Sequence, residues 1–334
     1  MNYTHVVGID VSKAKLDYAV HEGKQLILQH ESTNDLNGIK TFIKLLKKQP
    51  GFTMEQTLFC MEHTGIYNEF LLQYLQTLNA NVCMESSLQI KLSLGLQRGK
   101  NDRLDAARIA QYAYKNQEDL RLWKPKRQVV NQLRHFTTLR HQLLQVKKQL
   151  TVALKEQIRF NKRIAKQLTD TCKRTLAALN KDLEKVEQQI DEVIASDDEL
   201  KRLFGIITSV QGIGKVTAAE IIITTNEFKN IDDPSKFACY SGVAPFEHTS
   251  GSSIRGKTRV SHKANKYMKT LLHMAAMVAI VFNDDLKAYY QRKVLENKNK
   301  MSIINAVRNK LIWRIFACVK QNRAYQNKYL TTFV

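Results

Sequence analysis

Hydrophobic positions change their period twice along this chain. Residues 4–31 carry three short apolar runs, THVVGID, LDYAVHE and QLILQHE, separated by turn-like breaks, and the pattern predicts three strands. From Leu36 to Lys48 the residues Leu36, Ile39, Phe42, Ile43 and Leu46 recur at helical spacing, and Pro50-Gly51 closes the segment. A strand over 57–62 (TLFCME), a helix over about 67–79, a strand over 81–86 (NVCMES) and helical segments to about Lys115 follow. An opening meander and then alternating strands and helices predict a mixed α/β domain built on one sheet.

The second change comes after Pro125. From Lys126 to Phe204, 79 residues pass without a Gly or Pro. Val129, Leu133, Phe136, Leu139, Leu143, Val146, Leu150, Leu154 and Ile158 fall three or four apart, and a second run goes from Ile164 and Leu168 through Leu176, Leu179, Leu183, Val186 and Ile190 to Val193. So narrow a seam predicts a long helical arm of coiled-coil type, folded back on itself near Phe160–Lys173. The Gln, Lys and Arg on its other faces are either a solvated surface or a nucleic-acid track, with Arg127, Arg134, Arg140 and Lys147 as candidate contacts. The remainder opens with FGIITSVQGIGKVTAAEIIITT, in which Gly212-Ile213-Gly214 separates two helical segments. That is either a plain Gly turn or a helix-hairpin-helix element, whose backbone N–H groups and helix N-terminus, with Lys215, can hold a phosphate. A small-residue loop is predicted from Pro234 to Lys263, with helices beyond it.

Charge sharpens this division. Lys and Arg outnumber Asp and Glu by 52 to 31 over 334 residues, a net +21, which points to a polyanionic partner. Residues 1–120 are neutral, 121–180 carry +13, 181–200 carry −6 and 201–334 carry +14. Three domains are therefore expected, at 1–122, 123–203 and 204–334. The five cysteines are odd in number, far apart and free of any CxxC pair, which argues against a disulfide framework or a cysteine zinc site. No apolar run approaches a membrane span and the start lacks a signal peptide's order, so a cytoplasmic protein without a membrane partner is expected.

Candidate chemistry begins with carboxylates. Asp10 ends one apolar strand (VVGID) and Glu62 another (LFCME), while Asp102 and Asp105 in KNDRLDAARIA share one helix face. Singly, each is an ordinary cap or surface acid. Together they would repel unless divalent cations neutralised them, and oxygen-only ligands favour Mg2+ or Mn2+. Two such ions suit phosphoryl transfer. GID at a strand end also opens actin-like ATPases, but here Ser12 and Lys13 stand where further glycines of a phosphate loop belong.

The order GIDVSK, MEHTG and KNDRLDA resembles the DEDD-type, RuvC-like domain of the insertion-sequence one-ten family of transposases. The similarity continues in CYSGVAPFEHTSGSSIRGK and the basic run beyond it, and so covers nearly the whole chain. One departure is His262 and Ala264 ahead of Asn265, where the family often has Lys and Gly. The resemblance implies a RuvC/RNase H-like N-terminal domain, a coiled-coil arm and a mainly helical C-terminal transposase domain. It implies a recombinase that excises and inserts its own element, guided by a structured noncoding RNA (the bridge RNA) that pairs with target and donor double-stranded DNA. It further implies homo-oligomers, a dimer or a tetramer in the synaptic complex. Asp10, Glu62, Asp102 and Asp105 are then the metal-binding catalytic tetrad, and Ser241 the nucleophile.

From its residues alone Ser241, in ACYSGVAP, reads as a turn; it is not a GxSxG elbow and no triad partners stand at telling positions. Lys13, Lys100, Arg103, Gly212, Gly214, Lys215, Arg255, Lys257, Arg259, Lys263 and Lys266 join the arm residues as expected nucleic-acid contacts, and Lys269 continues the basic run. His248 and His262 are either proton carriers or ordinary surface histidines. Since the carboxylates and the serine fall in different domains, a composite site drawn from two chains is expected. The rival readings are a metal-dependent junction endonuclease that uses water, and a non-catalytic RNA- or DNA-binding protein.

Overall fold

A computed structural model describes the backbone of residues 3–95, 101–250, 254–260 and 264–326, and their side chains except 247–250 and 254–259. The chain divides into two compact units, Met1–Pro125 and Lys126–Val334.

In the first unit β1 (His5–Val11), β2 (Lys15–Glu22), β3 (Gln25–Thr33), β4 (Thr57–Glu62) and β5 (Asn81–Glu85) form one sheet of order β3-β2-β1-β4-β5. The first three strands are joined by short turns and pair antiparallel. Helices α1 (Leu36–Leu46) and α2 (Glu69–Thr77) carry the chain back across the sheet, so β4 and β5 pair parallel. Alternation along the strands gives the sheet two apolar faces. Val7, Ile9, Val11, Leu16, Tyr18, Phe59 and Met61 pack with Ile39, Phe42 and Leu46 of α1 and Leu71 and Leu75 of α2. Val6, Leu58 and Cys60 instead meet Ile109, Tyr112 and Ala113 of α4 (Asp102–Asn116), which follows α3 (Ser87–Leu94).

In the second unit α5 (Gln128–Phe160) and α6 (Lys162–Ala195) pack along each other. The chain breaks at Asn161, whose side chain accepts the N–H groups of Arg163 and Ile164 and so caps α6. Val130, Leu133, Val186, Ile190 and Val193, at one end of this pair, share a core with α7 (Asp198–Thr208), α8 (Lys215–Thr225), α9 (Pro234–Tyr240), α10 (Lys266–Phe282), α11 (Asp284–Leu295) and α12 (Lys300–Lys320). Toward the other end Leu143, Leu150 and Leu154 are half-buried, while Val146, Val152, Ile158 and Ile164 stay exposed and Phe160 is 83% exposed. No helix among the described residues is long and apolar enough to cross a membrane.

The small-residue loop expected from Pro234 to Lys263 is corrected. Asp233 caps a helix with Pro234 in its first turn, and β6 (Pro245–Ser250) pairs antiparallel with β7 (Ile254–Val260). β-Branched Thr249, Ile254, Thr258 and Val260 favour strands, and that preference prevails over the serines and glycines between them.

Candidate active site

Asp10 is the last but one residue of β1 and shares the α4-facing side of the strand with Val6 and Gly8. The antiparallel register sets Asp17 of β2 directly opposite it, so the two carboxylates share a face. Glu62 ends β4, and the parallel register that pairs Ile9 with Met61 brings it level with Asp10. Buried Asn68 fixes this strand end: its Nδ2 donates to the Glu62 carbonyl at 3.0 Å, and its Oδ1 accepts the N–H and hydroxyl of Thr64.

Asp102 and Asp105 occupy the first turn of α4, which Asn101 caps by accepting the Leu104 N–H at 2.8 Å. Gly8 sets how closely this helix approaches. A Cβ there would stand 2.2 Å from both the Ala106 carbonyl oxygen and the Ala110 nitrogen, so α4 lies with its backbone directly against β1. Ala19, Ala106 and Ala110 complete this small-residue seam.

Four acidic residues from β1, β4 and α4, with Asp17 from β2, thus act on one another. The Asp10 carboxyl is pushed up to about 6, first by burial and then by the charges of Asp102, Asp105, Glu62 and Asp17. Cations and donors counter this field. Lys15 Nζ lies 2.8 Å from Asp102, 3.3 Å from Asp17 and 3.5 Å from Glu31, and its bond to Asp102 leads in raising its pKa. Arg108 pairs with Asp105 at 2.8 Å, and the Ser87 hydroxyl donates to Glu62 at 2.5 Å. With the acids turned to these partners, no group of three metal-binding side chains stands in holding geometry among the described residues. Lys15, Asp17 and Gly8 escaped the sequence reading. Pairing the first two strands as a hairpin would have placed Lys15 and Asp17 on the face of Asp10.

Ser241 caps the C-terminus of α9, in the other unit. The residue is 0% exposed, and its Oγ has no hydrogen-bond partner among the described residues. Gly242 has φ +62°, and a Cβ on it would come within 2.7 Å of the Ala264 Cβ and 3.4 Å of the Lys269 Cδ. Asn265 ties this turn to α10 through its N–H to the Tyr240 carbonyl (2.8 Å), and Asn305 ties it to α12 through Nδ2 to the Val243 carbonyl (2.7 Å).

The expected nucleic-acid contacts separate by environment. Lys13, Arg103 and Lys266 are exposed. Arg255, Lys257 and Arg259 occupy alternate positions of β7, and His248 of β6 pairs with Gly256. Lys100, His262 and Lys263 lie outside the described residues. Gly214 begins α8 with open space around it, whereas Gly212 (φ +98°) is a packing glycine, its Cβ position 2.6 Å from the Ala275 carbonyl oxygen. Lys215 pairs with Asp191 at 2.7 Å and Arg140 with Glu187 at 2.8 Å. Arg127 is half-buried and already engaged, its fork shared between Asp197 (2.7 Å) and the buried Glu227. Those bonds raise the Arg127 pKa and hold Asp197 at about 2.

Removing one cation from the nucleic-acid backbone lowers the slope of log K against log salt by about 0.7–0.9. Replacing Arg134, Lys147, Lys148 and Lys155 with Gln should therefore flatten the salt dependence of nucleic-acid binding. Arg127→Gln should destabilise the fold and leave the slope alone. Filter binding across a salt series reads both, and an unchanged slope in the fourfold variant makes the arm's charge a solvated face.

Strand-end carboxylates in one negative field, in a chain whose second unit is strongly basic, suit an enzyme of phosphoryl transfer on nucleic acid. Residues 7–160 match a family profile for DEDD-type IS110 transposases, and residues 205–291 match that of the transposase IS116/IS110/IS902 family. The pilin gene-inverting proteins of Moraxella bovis and Moraxella lacunata are 26% and 28% identical, each alignment covering 96% of this chain and 98% of the relative. The insertion element IS110 43.6 kDa protein of Streptomyces coelicolor is 23% identical over 46% of this chain and 37% of its own length. The chain belongs to the IS110 family of transposases.

Proposed function

We propose that this transposase recombines double-stranded target and donor DNA under the direction of a structured guide RNA, through a covalent bond between Ser241 and a DNA phosphate. The observation that carries this reading is the convergence of Asp10, Glu62, Asp102 and Asp105, drawn from three elements, upon one another's charge. The strand order, three antiparallel strands and then two parallel ones, supports a RuvC-like domain. The donor set fits a divalent cation: it is all oxygen, its acids repel one another, and an ammonium group already sits against Asp102 and its neighbour Asp17. Asp10, Glu62, Asp102 and Asp105 would hold Mg2+ or Mn2+, which when bound supplies charge neutralisation and activates an oxygen nucleophile.

The chain's own residues do the rest. Ser241 Oγ forms a bond to phosphorus as the bond from phosphorus to one neighbouring nucleotide breaks. The departing oxygen leaves as a hydroxyl with the proton the serine gives up. One phosphodiester replaces another, so the reverse attack by a partner strand reseals DNA without an outside energy source. The exposed apolar positions of the arm suit pairing between copies of the chain. The open N-terminus of α8 after Gly214 suits a backbone phosphate, as in a helix-hairpin-helix element.

Ser241→Ala should bind RNA and DNA as wild type does and form no adduct on a denaturing gel with labelled DNA, while wild type gives a linked peptide by mass spectrometry. Mixing Ser241→Ala with Asp10→Asn protein should restore part of the activity if the carboxylates and the serine act from different chains. Cleavage by Ser241→Ala at the wild-type rate would leave the water-using endonuclease in place. The two full-length relatives named for gene inversion favour a second reading of the outcome, inversion of a segment between two sites. A plasmid with inverted sites separates inversion from excision by product size.

A further inference from the structure

Beside the Ser241 turn lies a cleft of about 920 Å3, whose described walls include Val243, Lys269, Ser302, Asn305 and Arg308. Its chemistry is lopsided. Arg308 of α12 is 5% exposed, yet no carboxylate pairs with it among the described residues. Its Nη2 donates to Nδ1 of His273 at 2.6 Å, its Nη1 reaches Asn305 Oδ1 only at 3.4 Å, and its Nε has no partner among those residues. An Nδ1 that accepts from a guanidinium belongs to a neutral imidazole, so His273 adds no negative charge. Burial, and then Arg308, lower the His273 pKa. Lys269 stands one helical turn before His273 on α10, lines the same cleft and forms no ion pair among the described residues.

A buried cation with no counter-ion is costly to keep, and a guanidinium with a spare N–H is shaped for a bidentate oxyanion. A strut arginine would have its fork filled, as Arg127 does with Asp197 and Glu227. Arg308 does not. The cleft also reaches the serine turn: Val243 is part of its wall, Asn305 bonds the Val243 carbonyl, and Lys269 lies against the Cβ position of Gly242. We propose that this cleft seats the DNA phosphodiester that Ser241 attacks, with Arg308 and Lys269 as its two cationic contacts. The assignment rests on the reading of Ser241 as nucleophile. The two cations form no covalent bond; they take up the charge that grows on the non-bridging oxygens as Oγ approaches phosphorus.

The test compares full-length wild type, Arg308→Met and Lys269→Gln, each with its co-purified nucleic acid, on a labelled duplex carrying an element end. Adduct formation is measured at saturating duplex, and melting temperature is measured on nucleic-acid-free protein. Arg308→Met should slow adduct formation by about 10²–10³-fold. Its melting temperature should hold or rise, because an unpaired buried charge is gone. Lys269→Gln should slow the adduct by at least about tenfold with the fold intact. Adduct formation at the wild-type rate in Lys269→Gln, or in folded Arg308→Met, overturns the seat. So does a lowered melting temperature in Arg308→Met with nucleic-acid binding lost in parallel, which makes the guanidinium a strut. Should Arg308→Met not fold, Lys269→Gln decides. Ser241→Ala keeps the two readings apart: if it cleaves, the nucleophile assignment has failed, and if it is silent while Arg308→Met is not, only the seat has.

Discussion

Gly8→Ala should reduce recombination at least about a hundredfold, since small misplacements of reacting groups already cost that much. The added methyl would stand 2.2 Å from two backbone atoms of α4, and backbone cannot swing aside as a flexible side chain does. The helix must lift from β1 and carry Asp102 and Asp105 with it. Overpacking of this kind costs about 1–3 kcal/mol or more, and the melting temperature should fall by roughly 5–10 °C. Gly205→Ala is the control. Gly205 lies inside α7 with nothing within 4 Å of its Cβ position, so alanine there should hold activity and stabilise by about 0.5–1 kcal/mol. Scanning calorimetry and a strand-exchange assay read the pair. Equal behaviour of the two variants would show that the seat of α4 does not bring the carboxylates together.

Asp10→Asn should separate stability from activity. Strand exchange should drop by about 10³-fold or more, because on the proposed metal role a ligand and much of the field that draws in a cation are lost together. In chelator, however, the variant should melt about 4 °C above wild type, the shift of roughly 1 kcal/mol in a unit of this size. Asp10 stands among four other carboxylates, and its charge is a net liability in the folded state. The sign with pH follows from the raised value. Asp10 is ionised above about 6 and protonated below it, so wild type loses stability as pH rises through that point. The variant's advantage should be full at pH 8, shrink as pH falls from about 6 toward the ordinary aspartate value of 3.8, and be gone only below it. A melting temperature that falls on substitution, at every pH, would mean that Asp10 is a structural acid.

Much of the first unit could be read from the residues because its central strands, buried on both faces, stand out as short apolar runs bounded by turns. THVVGID, TLFCME and NVCMES become β1, β4 and β5, and their terminal acids stand where the alternation puts them. What pattern cannot show is contact across the sheet. Gly8 reads as one more position of the strand-end GID until α4 is seen lying on it, and Asp17 reads as one more polar strand position until the hairpin register sets it opposite Asp10. The arm shows the reverse error. Arg127 looks like the first of a row of exposed cations, but its partners Asp197 and Glu227 lie 70 and 100 residues away in sequence. Between Pro234 and Lys263, Ser and Gly content concealed a hairpin that β-branched residues favour. Arg308 gave no signal at all, since beside Lys310 and Arg314 it reads as one more surface cation of α12.

The buried hydroxyl of Ser241 bears on what it means for a cell to carry such an enzyme. In the role proposed for it, a hydroxyl with no accessible surface would be latent, like the active group of a zymogen. On that proposal the turn between α9 and the β6–β7 hairpin must open before any cut is made. The rate of damage to a host chromosome would then follow the number of correctly built complexes and not the amount of free protein.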